Sequence, residues 1–412
     1  MKLVFVSFDF PNNGCGPAVS FSRLLPVLKA RGHEVHALVF ADYRDVPSGN
    51  SLRARCCLPI FPLVRHNEKE VKWILRWLVA IEPDAFIPNS TVAGFYAARW
   101  ARAAGIPTIG CYRSNDEFHT RVVRDFVFGP AIWALSGLVC VSEKFASAMR
   151  SLGSTPTQIN VIPSGVPIPS TCCNQDDEIR IAYSGRLQQE QKRISETVDA
   201  LISSIKIGLC SKVALFGDGP ERGAIQSRID AVGLGERIIL RGAISPSQIQ
   251  QDLRDYNVIT LLSDYEGIPG ALVDGMASGL VPVTTQMNGG IEELVIHQET
   301  GLMVKNRKLS FLAAIEHLKN HRINRLRLSH NARQHILERY SLDAAASKWE
   351  EFIEYLVRKR DRHESIHVPL VLHLPKLVPE FAREDFRNTV WGICRRWKVR
   401  LSNRPLKTLK AT

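Results

Sequence analysis

The chain has no apolar run long enough to span a membrane, no cysteine arrangement that would hold a metal, and no internal repeat. Its longest apolar stretch, FVFGPAIWALSGLVCV from Phe126 to Val141, is broken by Gly129, Pro130 and Gly137. It falls short of the roughly 20 residues a span needs and reads as a buried helix passing into a strand. The opening LVFVSF stops at Asp9 and Pro11, too early for the apolar centre of a secretion signal, and reads as a first buried strand. The nine cysteines are an odd number, include the adjacent pairs Cys56/Cys57 and Cys172/Cys173, and show no CxxC or Cys/His ligand spacing. A reduced, cytoplasmic protein without structural zinc is expected. No self-similar period marks a solenoid.

Acidic residues are too few to balance the basic ones: the net charge is +12 over 412 residues. Such a surplus suits nucleic acid, an anionic membrane surface or phosphorylated substrates, and its location chooses among them. Lys359–Thr412 holds 13 Lys/Arg against 5 Asp/Glu, a net +8 that leaves only +4 for the first 358 residues. The excess belongs to a C-terminal extension, and nucleic acid is not an expected partner.

What is present is an alternation of short apolar strands with helical stretches. KLVFVSF, a glycine-containing loop, AVSFSRLLPVLKARG and EVHALVF make a βαβ unit. The rhythm runs on through DAFIPNS, TIGCYRS and GLVCVSE, pauses at the prolines 163, 167 and 169, and restarts with IRIAYSG, KVALFGDG, RIILRG, VITLLSD and VPVTT. Such alternation builds doubly wound parallel sheets, so two of them are expected, joined by a proline-stiffened linker. The boundaries read as residues 1–167 for a first domain and 168–344 for a second. A helix over 345–358 would return to the first, ahead of the basic extension over 359–412.

In open α/β sheets ligands gather beyond the carboxyl ends of the strands, and four loops there are unusual. NNGCGPAV, after the first strand, has Gly14 and Gly16 but Val19 in place of a third glycine, which breaks the dinucleotide fingerprint of a nicotinamide-dependent oxidoreductase. In SGRLQQEQKRI, Arg186 and Lys192 put two cations at a strand mouth, a pairing that suits a diphosphate and is also met in solvated turns. In LFGDGPE, Gly217 and Gly219 flank Asp218, a compact turn that could pack beneath a flat base or serve no ligand at all. DYEGIPGALVDGMASG sets Glu266 in a loop and Asp274 about one turn into the following helix, which Gly279 closes. Complementing the helix macrodipole would explain both acids but not the glycines around Ile268 and Pro269.

GRLQQEQKRI, LFGDGPE, EGIPGALVDGMASGLVPVTTQMNGGIEELV and GLMV stand in the order and spacing of retaining family 4 glycosyltransferases of the GT-B fold, and the chain resembles that family from Met1 to about Arg358. The resemblance implies an α/β protein, two Rossmann-like doubly wound domains facing a central cleft. It implies that Glu266 contacts the donor sugar, that the backbone of Gly267, Ile268, Pro269, Gly270 and Ala271 lines the sugar and phosphate site, and that Asp274 binds the ribose hydroxyls. It assigns Arg186 and Lys192 to the donor diphosphate, Gly16 to a loop facing the phosphates, Gly217 and Ile244 to the base side, and Gly289, Gly290 and Glu293 to the GG-x-x-E element of the donor site.

The sequence departs from the family in three places. Asp274 stands where Glu is usual, Ser164-Gly165-Val166-Pro167 replaces NGVD, and YRSNDEF carries Arg113, Asn115 and Asp116 where a His is frequent. Arg113 could contact a phosphate, the sugar or the acceptor, with Asn115 and Asp116 beside it, or form a structural ion pair with Asp116. An arginine there cannot act as a base near neutral pH.

The implied activity is transfer of a sugar from a nucleotide-diphosphate donor to a glycan or lipid-linked acceptor with retained anomeric configuration, in cell-surface glycan assembly. No cofactor or metal is expected, because cations and a helix N-terminus can carry the leaving diphosphate. A degenerate, non-catalytic sugar-nucleotide binder is the alternative. In the extension, Phe386, Val390, Ile393, Cys394, Trp397 and Leu401 fall on one helical stripe bordered by Arg387 and Lys398. That helix could lie on the inner face of an anionic membrane or pack on the protein's own first domain.

Overall fold

The computed structural model describes residues 1–9, 16–41, 60–62, 67–89, 91–114, 116–245, 248–287, 289–360 and 364–374. Two parallel sheets organise them. In the first domain β1 (Lys2–Asp9), β2 (Glu34–Ala41), β3 (Ile60–Pro62) and β4 (Ala85–Pro88) form a sheet ordered β3-β2-β1-β4. It continues into β5 (Ile109–Tyr112), β6 (Gly137–Cys140) and β7 (Gln158–Val161) through a bridge between Phe86 and Thr108. In the second domain β8 (Arg180–Ser184), β9 (Lys212–Phe216), β10 (Ile238–Gly242), β11 (Val258–Leu261), β12 (Val281–Thr285) and β13 (Leu302–Val304) order as β10-β9-β8-β11-β12-β13. Each order reverses direction beside its own first strand. A doubly wound sheet binds ligands at that reversal, which in the second domain lies between β8 and β11.

The strands are continuous apolar runs because helices cover both faces of each sheet: Val4, Phe5 and Val6 in β1 and Val213, Ala214 and Leu215 in β9 are fully buried. The expected helix within Phe126–Val141 does not form. The Glu117–Phe126 helix ends where that stretch begins, and turns lead from there to β6. Continuing it would fail at Pro130, which lacks an N–H and whose ring clashes with the preceding turn.

The chain passes between the domains twice. Val166 and Ser341 pair as a parallel bridge, with the Val166 amide donating to the Tyr340 carbonyl at 2.9 Å and the Leu342 amide to the Val166 carbonyl at 3.0 Å. The Leu342–Arg358 helix then lies on the first domain, its Trp349, Phe352, Ile353 and Leu356 joining Leu3, Phe5 and Phe21 in one core. Gly137 makes room for it, since a Cβ there would stand 2.8 Å from the Phe352 ring. The extension starts along the same domain: Leu372 is buried in its core, and Lys72 Nζ donates to the Leu370 carbonyl at 2.6 Å. The amphipathic stretch from Phe386 to Leu401 lies outside the described residues.

Candidate active site

Arg186 and Lys192 follow β8, and Glu266 follows β11, so the two strands flanking the reversal deliver the cations and the acid to one place. Lys192 Nζ donates to Glu266 Oε1, and both side chains are about nine-tenths buried. Gln191 ties the loops together: its Nε2 donates to the Tyr265 carbonyl at 2.9 Å, and its own carbonyl accepts from the Asp264 amide at 3.0 Å. Its Oε1 also accepts from Arg186 Nη2 at 3.1 Å. Beneath them the fully buried Tyr183 donates its hydroxyl to the Arg186 carbonyl at 3.0 Å, and burial together with the nearby Glu266 charge pushes its phenol pKa up.

Glycines let these loops stack backbone on backbone. A Cβ on Gly217 would fall 1.9 Å from the Gly185 carbonyl, one on Gly219 2.3 Å from that of Leu187, and one on Gly289 1.6 Å from that of Glu266. Gly217 and Gly289 also have φ of +138° and +131°, which only glycine adopts without strain. Gly267 presses on the first domain, where its Cβ would stand 2.1 Å from the Arg113 carbonyl. Pro269 ends the loop in an extended conformation, and the Gly270–Ala277 helix begins at an exposed Gly270 with no atom within 4 Å of where its Cβ would be. Ala271 and Ile268 are half-buried, and Ile244 packs against the second domain's core.

Asp274, one turn into that helix, is buried and bonded on both carboxylate oxygens. Arg23, on the Gly16–Ala30 helix of the first domain, donates from Nη2 to Oδ2 at 3.1 Å, and its Nη1 stands 3.1 Å from Oδ1 in the same ion pair. Gln250 Nε2 adds a bond to Oδ1 at 3.1 Å while also donating to the Pro167 carbonyl at 2.7 Å. Burial raises the carboxyl pKa of Asp274, and Arg23 and Gln250 pull against it.

Glu293 spans the domains. The amides of Glu143 and Lys144, the first two residues of the Glu143–Ser151 helix, donate to its carboxylate at 2.8 and 2.7 Å. Ser142 caps the same helix end through the Phe145 amide, so three of its open N–H groups are met. The Glu293 side chain thus serves an interdomain contact in this structure, a different task from the donor contact expected of it. Gly290 belongs to the same contact, its backbone against Ser142 and its amide donating to the Gly267 carbonyl at 3.1 Å.

The Arg113–Asp116 ion pair does not form. Arg113 Nη1 donates to Ser164 Oγ at 2.8 Å, and its guanidinium lies 5.0 Å over the Phe21 ring. Asp116 instead caps the Glu117–Phe126 helix, accepting from the His119 amide at 2.9 Å with the His119 ring 2.8 Å away. Asn115 lies outside the described residues, as does the glycine loop after β1 up to Gly16, where the first helix begins. Gln250 and Arg23 had no signal in the sequence, being common polar residues outside the motifs, and Gln191, though inside GRLQQEQKRI, is one of three glutamines there with nothing to single it out.

Two family models match the chain in succession, Glycosyltransferase Family 4 over residues 15–168 and Glycosyl transferases group 1 over residues 174–335. The chain belongs to the family 4 glycosyltransferases. Its GT-B fold is shared with the UDP and glucose complex of HepE from Anabaena, at a TM-score of 0.67 and 16% identity over 86% of this chain and 100% of that one. A relative, the lipopolysaccharide core biosynthesis glycosyltransferase LpsD of Rhizobium meliloti, is 23% identical over 87% of this chain and 100% of its own length. An exopolysaccharide phosphotransferase of Streptomyces coelicolor is 26% identical over 55% of this chain, which spans 24% of that protein's length. No helix among the described residues of this family 4 chain is long and apolar enough to cross a membrane.

Proposed function

We propose that the protein is a retaining glycosyltransferase that moves a hexose from a nucleotide-diphosphate donor to a glycan or lipid-linked acceptor of the cell surface. The observation that carries the reading is the Lys192–Glu266 pair at the sheet reversal, with Arg186 beside it and an open helix start at Gly270. A cation touching an acid suits a sugar-phosphate junction: Lys192 takes the phosphate side and Glu266 the sugar hydroxyls. The donor complexes of HepE and the name of the Rhizobium relative support the donor class and the setting.

In this mechanism the bond from the anomeric carbon to phosphate lengthens into an oxocarbenium-like state, and charge grows on the departing diphosphate. Lys192, Arg186 and the first amides of the Gly270–Ala277 helix meet that charge in a protected site, where fixed donors are worth most. They carry the load that a metal carries elsewhere. The departing phosphate takes the acceptor's proton from the same face, which retains the configuration. Asp274 receives the ribose, Gly217 and Ile244 flank the base, and the enzyme works in the cytoplasm, where the basic extension meets an anionic membrane.

A thermal-shift panel of nucleotide sugars tests the donor class, since a ligand at 100 times its Kd stabilises by about 2.7 kcal/mol. Glu266→Ala should then cut turnover far more than it cuts affinity for UDP, because the acid meets the sugar alone. Equal losses would contradict the assignment, and a donor that binds without ever being hydrolysed or transferred would favour a non-catalytic binder.

A further inference from the structure

The ribose assignment of Asp274 leads to a second reading, which rests on it. An ionised carboxylate offers about four lone-pair sites, and three nitrogens already stand on those of Asp274: Gln250 Nε2 donates to Oδ1, Arg23 Nη2 donates to Oδ2, and Arg23 Nη1 lies 3.1 Å from Oδ1 in the ion pair. A ribose cis-diol presents two donors and finds one place. The parallel N–H pair of a guanidinium offers a carboxylate the same two-donor fork that the diol would. We propose that Arg23 occupies the ribose subsite as an internal competitor for Asp274, and so sets both nucleotide affinity and the preference for ribose over deoxyribose.

Arg23 belongs to the first domain and Asp274 to the second, 251 positions apart. Filling the ribose subsite and releasing this interdomain contact are therefore one exchange: two hydroxyls replace two N–H groups on the same two oxygens. The side chains of the pair are only 9% and 11% exposed, so salt screens the contact little. A 2′-deoxyribose keeps a single hydroxyl, which fits the fourth lone pair with Arg23 in place. Arg23 thus holds back the ribonucleotide and leaves the deoxynucleotide nearly untouched, narrowing the difference between them.

Calorimetric titration of the full chain with UDP and with 2′-deoxyuridine diphosphate tests this. Arg23→Met should bind UDP about tenfold to a hundredfold more tightly, the worth of one recovered hydrogen bond to a charged group, while the deoxy ligand changes by less than about twofold. Arg23→Lys, which keeps the charge but loses the fork, should fall between and guards against a misfolded Met variant. If UDP binds Arg23→Met and Arg23→Lys no better than the native chain, while Asp274→Ala still weakens it, competition is overturned and the ribose role of Asp274 stands. If Asp274→Ala leaves UDP affinity unchanged, the ribose role falls and the competitor with it.

Discussion

On the second domain's side of the cleft, the loops that carry Arg186, Lys192 and Glu266 rest backbone on backbone, with Gly217 against Gly185 and Gly289 against Glu266. On the first domain's side, the candidate residues turn inward to local tasks, Arg113 to Ser164 and Phe21, Asp116 to a helix cap. One side is held firm by its own backbone, and in the proposed mechanism such preorganised charge is what lowers the barrier. The other contributes mainly position: the Arg113 carbonyl against Gly267 and the helix end that Glu293 holds.

That contrast can be broken first at the charges. Lys192→Ala should lower transfer by about 10²–10³-fold, as loss of a transition-state donor does, while Arg113→Ala should lower it by less than about tenfold; steady-state assays giving similar losses would erase the difference. Next in size is Gly217→Ala, which adds a methyl 1.9 Å from a carbonyl at φ +138° and should cost about 3 kcal/mol through overpacking and strain. Gly32→Ala, at φ +91° with nothing within 4 Å, should cost about 1 kcal/mol from strain alone, as chemical denaturation will show.

A third substitution sharpens the role of the first domain. Glu293→Ala should leave UDP affinity near native and slow transfer about tenfold, one lost helix-end contact in the closed state; a matching loss of UDP affinity would return Glu293 to the donor site. The last effect is one of pH. Burial pushes the Glu70 carboxyl, on the first domain's Asn67–Ile81 helix, from 4.5 up to about 7. Its folded pKa is raised, so its stabilising contribution is present below pH 4.5 and lost as pH rises through about 7. Glu70→Gln should therefore raise the melting temperature at pH 8 and leave it unchanged at about pH 4.

The sequence made the second domain easy to read because each motif there follows a strand, and the fold gathers strand ends at one place. Glu266 and Lys192 meet for that reason although 74 positions separate them. Long buried strands such as β1 and β9 announced themselves, whereas β7, a short edge strand with no fully buried residue, and the three-residue β3 and β13 did not. Contacts between domains left no pattern at all. Arg23 is one arginine among many in the chain, on a helix that carries no motif at that position, and Glu293 looks like any acid in a first helical turn, where the macrodipole alone would welcome it. Only the folded chain brings Asp274 and the Glu143–Ser151 helix to them.

The pairing of Val166 with Ser341 limits how the two halves can move. Two strands of chain cross side by side and are stitched to each other, so they act as the two leaves of a door hinge: bending about the line between them is easy, and twisting would shear the stitches. Opening then has a single soft coordinate, and every contact across the mouth of the cleft, from Arg113 to Glu293, must loosen or tighten together along it.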